Sequence, residues 1–216
     1  MLSTVHQFIF VHVPKTGGNS IQTLLEPVSD DHRVVVAHQD GVDRFDVTGP
    51  VTRRKHMTLA EYADALGPDL GGMRVVLACR HPLDRALSHY FSPHRWFVQS
   101  RAGWERGAPV WDLDRFAQVV GETVPAIEFL KVGGRVRRPD FLLRFERLQE
   151  DFDRFLAAAD IPLPDTRLPH RNAAHAPVAL QQAARHDPRV VDIVARAFRD
   201  DFDFFGYAAS PAAASA

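Results

Sequence analysis

The feature that most constrains this chain is an apolar run near its start that ends in a proline and two glycines. Residues Gln7 to Val13 read QFIFVHV, and β-branched and aromatic side chains in such a run are typical of a buried strand. Ile21, Leu24 and Leu25 follow the glycines at helical spacing. A strand, a glycine-containing loop and a helix in direct succession indicate an α/β fold.

The rest of the chain repeats this alternation. Arg33 to Ala37 and Arg74 to Cys79 are apolar without alternation, which predicts two buried parallel strands, and Phe141 to Phe145 predicts another. Helices are predicted to open at a Thr58 capping box, near Pro82 and near Glu146, and a last helix or pair of helices at about Val178 to Phe198.

These elements predict one α/β domain over residues 1–207, a three-layer, P-loop-like fold with a central parallel sheet flanked by helices. The alanine-rich residues 208–216 predict a disordered tail.

Composition narrows the classes of function. A formal net charge of −1 argues against a protein that holds nucleic acid by bulk electrostatics. The single cysteine, Cys79, excludes an intramolecular disulfide, and no cysteine-rich zinc spacing occurs. The run Phe8 to Val13 is far shorter than the ~20 apolar residues of a membrane span. We therefore expect a cytoplasmic protein with no membrane span and no required metal.

The loop after the first strand has the composition of an anion site, because backbone N–H groups and the helix dipole favour negative charge there. Gly17 and Gly18 allow the backbone to approach a ligand closely. Lys15 adds positive charge to the loop. The remaining polar residues are predicted to bind the same anion: Thr16, Asn19 and Ser20. The alternative is a glycine-rich turn with an incidental lysine.

A nucleoside-triphosphate P-loop would place its lysine directly before a Ser or Thr, whereas here the lysine precedes the glycines. The segment VPKTGGNS, Val13 to Ser20, instead resembles the 5′-phosphosulfate loop of sulfotransferases that use 3′-phosphoadenosine-5′-phosphosulfate (PAPS). It is most similar to the branch with the glycan 2-O-sulfotransferases and their bacterial relatives. The resemblance implies PAPS as sulfuryl donor and adenosine 3′,5′-bisphosphate as product.

A second segment, Arg80 to Tyr90, resembles the 3′-phosphate motif of that family, with an arginine at a strand end and a serine eight residues later. Ser88 lies about two helical turns beyond Arg80, so both side chains can reach one phosphate. The alternative is an ion pair between Arg80 and Asp84, with Ser88 on a polar helix face. His81 departs from the family pattern of a small polar or acidic residue, which leaves the helix cap open.

Residues 55–58, KHMT, resemble the family segment that carries the catalytic histidine. An acceptor hydroxyl needs a base during attack, and an imidazole suits neutral pH, so His56 is the predicted base. His38 is the next candidate, and His12 is predicted to be a core residue of the first strand. Lys15 is predicted to stabilise charge on the leaving group.

Two further segments are candidate parts of the site. By resemblance, the loop at residues 168–172 closes the nucleotide site, with Arg171 and Asn172 as contacts to the 3′-phosphate or adenine; an ordinary surface loop is equally consistent with it. Trp96 and Trp104 lie in an arginine-containing segment that either binds the acceptor or packs a lid onto the core.

The resulting expectation is a PAPS-dependent O-sulfotransferase with a hydroxyl-bearing acceptor. A saccharide or small molecule is favoured, and a tyrosine side chain is the other option. The rival hypotheses are a P-loop-type nucleotide kinase or NTPase and a nucleotide-binding module without turnover.

Overall fold

The structure is a computed structural model of the 216-residue chain, and it describes residues 1–35, 45–100, 103–169 and 177–209. The described residues form two compact units. The first unit contains those within residues 1–37, 43–80 and 126–172, and the second contains those within 81–125 and 173–216. His38, Arg171, Asn172 and most of the predicted tail lie outside the described residues.

The strands, in chain order, are β1 (Leu2–Ser3), β2 (Phe8–Val11), β3 (His32–Val35), β4 (Phe45–Thr48), β5 (Arg74–Cys79), β6 (Phe97–Ser100), β7 (Gly103–Arg106), β8 (Lys131–Val132), β9 (Arg135–Val136) and β10 (Phe141–Arg144). The α-helices are α1 (Gly18–Leu25), α2 (Leu59–Leu66), α3 (Pro82–Tyr90), α4 (Leu113–Glu122), α5 (Leu148–Ala158), α6 (Val178–His186), α7 (Pro188–Ala197) and α8 (Arg199–Phe205).

The central sheet of the first unit has the strand order β1-β2-β5-β10. β5 pairs in parallel with β2 on one side and with β10 on the other, and only β1 is antiparallel to its neighbour in this sheet. The prediction of an α/β fold with a central, mainly parallel sheet is therefore confirmed. Because β2 and β5 are parallel neighbours, the loop after β2 and the residue after β5 lie at the same edge of the sheet.

The core of the first unit explains why β2 and β5 are apolar along their whole length. Residues Phe8–Val11 and Val75–Cys79 are fully buried, as expected for strands covered on both faces. The larger side chains of this core come from the sheet, from α1 and from α5: Phe8, Phe10, Ile21, Leu25, Leu143, Phe152, Phe155 and Leu156.

The prediction of a buried parallel strand at Arg33 to Ala37 is wrong. The described part, β3, pairs antiparallel with β4 in a separate two-stranded sheet, and Val35 is 76% exposed. Three consecutive valines favour an extended backbone, but they do not determine which partner pairs with the strand.

The second unit is mainly helical, and its core is rich in aromatic side chains. The predicted last helix is the pair α6 and α7, followed by α8. In α8, Asp201 is buried and lies 3.6 Å from the guanidinium of Arg85. Burial lowers the pKa of Arg85 to about 10, and the Asp201 carboxylate opposes this shift.

The predicted capping box is confirmed, because Thr58 accepts the backbone N–H of Glu61 and the Glu61 carboxylate accepts that of Thr58. α2 therefore begins directly after the segment that carries His56. In the part of the chain that the structure describes, no helix has the length and apolar character needed to cross a membrane.

Candidate active site

The loop between β2 and α1 has a left-handed backbone at two positions, Lys15 with φ 70° and Gly17 with φ 82°. A Cβ atom at Gly17 would lie 2.8 Å from Leu148 and 3.2 Å from Phe145, so only glycine fits there. For Lys15 this conformation costs roughly 1–2 kcal/mol. The loop is thus held in a strained shape, as is common where a backbone binds a ligand.

The two hydroxyl groups of the loop bond to backbone carbonyls within the protein. Thr16 is buried and donates to the carbonyl of Val13 at 2.7 Å, which closes the loop on itself. Ser20 donates to the carbonyl of Pro169 at 2.6 Å. Thr16 therefore shapes the loop in this structure, and Ser20 joins α1 to the late loop that the family resemblance places at the nucleotide site.

Arg80 connects the end of β5 with the same loop. Its Nη1 donates to the carbonyl of Lys15 at a long 3.5 Å, and its guanidinium lies 4.0 Å from the centre of the Phe145 ring. Arg80 therefore lies beside the loop within the first unit. Ser88 lies on α3 in the second unit and is half-buried, so its shared contact with a phosphate stays a prediction.

The imidazole of His56 is held against the end of β2. Its Nδ1 donates to the backbone carbonyl of His12 at 2.9 Å, and the centres of the two imidazole rings are 4.4 Å apart. Since a neutral imidazole carries one proton, a protonated Nδ1 leaves the lone pair on Nε2. A lone pair on Nε2 is what a general base requires.

Burial keeps the imidazole of His56 uncharged. Desolvation lowers the pKa of His56 to about 4, and the positive charges of Lys55 and Arg54 act in the same direction. The hydrogen bond to His12 and the charge of Asp46 oppose that shift. His56 is consequently neutral at physiological pH.

His12 is a buried residue between the strand and the helix, as predicted. Its Nδ1 bonds Oε1 of Gln22 on α1 at 2.9 Å. The ring lies against Gly18, where an added Cβ would be 2.2 Å from it. Burial, followed by the charges of His56 and Lys55, holds the pKa of His12 well below its ordinary value. Gly18 is therefore needed for packing between β2 and α1.

Lys55 is a site residue to which the motifs assign no role. Its ammonium lies 3.4 Å from Oδ1 of Asn19 in the first turn of α1 and 4.1 Å from the centre of the Phe45 ring. The signal in the sequence is its position directly before His56, because a second cation beside a predicted anion-binding loop can form charge-assisted bonds to the anion. Asn19 accepts this contact through Oδ1, and its predicted role in binding the anion stays a prediction.

Trp96 packs into the core of the second unit, and an acceptor contact for it stays a prediction. It is 6% exposed, its indole N–H donates to the carbonyl of Tyr90 at 3.0 Å, and Arg115 lies 4.2 Å from its ring centre. Trp104 belongs to β7, where its backbone is paired with that of Gln99. His81 does cap α3, because its Nδ1 accepts the N–H of Leu83 at 3.3 Å.

The described residues contain no group of three or more His, Cys, Asp or Glu side chains that is arranged to hold a metal ion.

Comparison with known proteins gives one finding. A family model described as the sulfotransferase family matches residues 1–208, a span that runs through both compact units. No curated protein and no solved structure matches the chain. The resemblance drawn from the loop motif is therefore confirmed.

We predict that Gly18→Ala destabilises the protein, because the new methyl group would overlap the His12 ring. Overpacking of this kind costs about 1–3 kcal/mol. Gly121→Ala is the matched control, since Gly121 lies in α4 with nothing within 4 Å of an added Cβ; it should be neutral or stabilising. Urea denaturation measures both free energies of unfolding, and equal values would contradict the close packing of His12 on α1.

Acid should destabilise the protein through His56. Because its folded pKa of about 4 lies below the ordinary value of 6.5, the unfolded chain binds a proton between these values that the folded protein does not. The stability contributed by His56 is thus present above pH 6.5 and is lost as the pH falls towards 4. The shift corresponds to about 3 kcal/mol.

Urea denaturation from pH 7 to pH 4.5 tests this dependence. His56→Asn should flatten the curve in part, leaving the share that comes from His12. His186→Asn, at an exposed position on α6, should reproduce the wild-type curve. A His56→Asn protein with the full wild-type loss would contradict the prediction.

Proposed function

The chain belongs to the sulfotransferase family, and from this premise we propose that it transfers the sulfuryl group of PAPS to a hydroxyl group of a saccharide or a small molecule. The observation that carries the proposal is the hydrogen bond from Nδ1 of His56 to the carbonyl of His12. This bond holds the imidazole of His56 against His12, the residue directly before the segment that resembles the phosphosulfate loop, which supports His56 as the base in this proposal.

The donor would be held by the loop and by Arg80. Backbone N–H groups of the loop and the first turn of α1 suit the 5′-phosphate, because each is a donor and the helix dipole adds partial positive charge. Lys15 and Arg80 carry positive charge at the edge of the sheet where β2 and β5 end. In this proposal Arg80 binds the 3′-phosphate together with Ser88.

PAPS supplies a sulfuryl group bonded to a good leaving group. The protein then has two tasks, to remove the proton of the attacking hydroxyl and to stabilise negative charge on the departing phosphate. His56 accepts the proton on Nε2. Lys15 stabilises the leaving group, with the loop N–H groups. Lys55 adds a second positive charge beside Asn19.

Binding should separate this function from that of a kinase. Adenosine 3′,5′-bisphosphate without magnesium should raise the melting temperature, because a ligand that binds only the folded state stabilises it by mass action. At 100 times its dissociation constant the stabilisation is about 2.7 kcal/mol. Differential scanning fluorimetry measures the shift, with adenosine 5′-monophosphate as the matched ligand that lacks the 3′-phosphate.

Protection by ATP with magnesium and none by the bisphosphate would contradict the proposal. Bisphosphate binding with no transfer from labelled PAPS to a broad panel of saccharides, phenols and alcohols would indicate a binding module instead.

Substitutions should separate donor binding from proton transfer. Arg80→Met keeps an apolar stem against Phe145 but removes the charge, and should weaken bisphosphate binding about tenfold or more. His56→Ala should leave that affinity nearly unchanged and lower turnover about 10²-fold or more. Lys15→Met should reduce both affinity and turnover.

Calorimetric titration and a labelled-PAPS assay give the two quantities for each variant. His186→Ala is the control for loss of a histidine outside the site. A folded His56→Ala protein with near wild-type turnover would remove His56 from the mechanism, and His38 would be the next residue to test.

A further inference from the structure

The two residues Lys55 and His56 are anchored by the two-stranded sheet of β3 and β4, a part of the fold outside the central sheet. Asp46 on β4 accepts the backbone N–H of Lys55 on Oδ1 at 2.6 Å, and the same oxygen accepts the N–H of Val47 at 2.8 Å. The first bond fixes the backbone directly before the predicted base. It is a charge-assisted bond, which is the stronger kind.

The side chains of Lys55 and His56 make separate contacts, with β4 and with the end of β2. The ring of Phe45, next to Asp46 on β4, lies 4.1 Å from the ammonium of Lys55. His56 donates to the carbonyl of His12 at the end of β2. The base is thus held between two elements, with β4 on the backbone side and β2 on the imidazole side.

When His56 accepts a proton, its imidazole becomes a cation in a mostly buried place. Burial disfavours that cation, and so do the neighbouring charges of Lys55 and Arg54. His12, whose ring contacts His56, is uncharged and offers no compensation. Asp46 is the carboxylate whose charge raises the pKa of His56.

We infer that Asp46 is a positioning residue for His56, which fixes the backbone before the base through its hydrogen bond to Lys55 and offsets the charge that the base acquires. The arrangement follows the general pattern of a catalytic base oriented by a third group, here through the main chain. The inference rests on the proposed function for the role of His56, but its geometric part can be measured without turnover.

Two substitutions separate the hydrogen bond from the charge. Asp46→Asn keeps an oxygen that can accept the N–H of Lys55 and removes the charge, whereas Asp46→Ala removes both. Asp64→Ala is the matched control, an exposed aspartate on α2 in the same unit. Asp46 itself is exposed, so both variants should fold, which circular dichroism and urea denaturation verify.

The turnover-independent measurement is nuclear magnetic resonance of the His56 imidazole at pH 7.5, assigned by its loss in His56→Asn. Carbon and nitrogen shifts report whether Nδ1 or Nε2 carries the proton. The wild type, Asp46→Asn and Asp64→Ala should show protonated Nδ1. Asp46→Ala should show a mixture of both forms, because the ring no longer meets the His12 carbonyl in a fixed position.

The kinetic measurement separates kcat from KM. Asp46→Ala should lower kcat about tenfold, a part of the 10²–10⁴-fold contribution of a general base, while KM for PAPS changes less than about twofold. Asp46→Asn should lower kcat by a smaller factor, because only the charge is lost.

Each result decides one part. If Asp46→Ala has the same kcat and the same imidazole shifts as the control Asp64→Ala, the inference is wrong. If Asp46→Asn has the kcat of the wild type, the charge of Asp46 has no role. If Asp46→Asn and Asp46→Ala lose kcat equally, the hydrogen bond to Lys55 has no role. Full turnover of His56→Ala would instead overturn the assignment of the base, while the imidazole spectra would still test the contact of Asp46.

Discussion

The arrangement of the site depends on the hydrogen bond between the His56 imidazole and the His12 carbonyl. His12 is the position where the central strand β2 gives way to the loop, so its backbone is fixed by the sheet and its ring by α1. The imidazole of His56 therefore takes its orientation from a buried part of the first unit. The same contact selects the tautomer in which Nε2 has the lone pair.

The loop itself is shaped by contacts that do not involve a ligand. Thr16 closes it from within, Gly17 fits beside Phe145 and Leu148, and Ser20 is bonded to Pro169. A loop whose side chains are bonded to the protein presents its backbone N–H groups in a fixed arrangement. Little conformational entropy then has to be lost on binding, which favours affinity.

The sequence was sufficient for the elements whose signals are local. The apolar run of β5, the capping box at Thr58 and the glycines after β2 each follow from short-range sterics and hydrogen bonding. The position of β3 was wrong because three valines suit a hairpin as well as a central strand. The choice between these depends on pairing with β4, ten or more residues away.

The individual site contacts were less predictable for a related reason. The motifs predicted Lys15, Arg80 and His56 as site residues, and the composition of the loop predicted ligand contacts for Thr16 and Ser20, whose hydroxyl groups donate to backbone carbonyls in this structure. The sequence does not show which acceptor a side-chain hydroxyl will bond to. A nearby backbone carbonyl competes with a ligand for that hydroxyl donor. The buried pair of Arg85 and Asp201 was missed because its members are far apart in the chain.

The contact between Ser20 and Pro169 spans 149 positions of the chain. During synthesis this bond cannot form until residue 169 has left the ribosome. β2 likewise pairs with β5, whose residues lie more than sixty positions later in the chain. β5 pairs in turn with β10, which comes later still. Such non-local pairings form slowly. Until β5 has been made, the apolar strand β2 therefore has no parallel partner, and an exposed apolar strand of this kind is prone to aggregation.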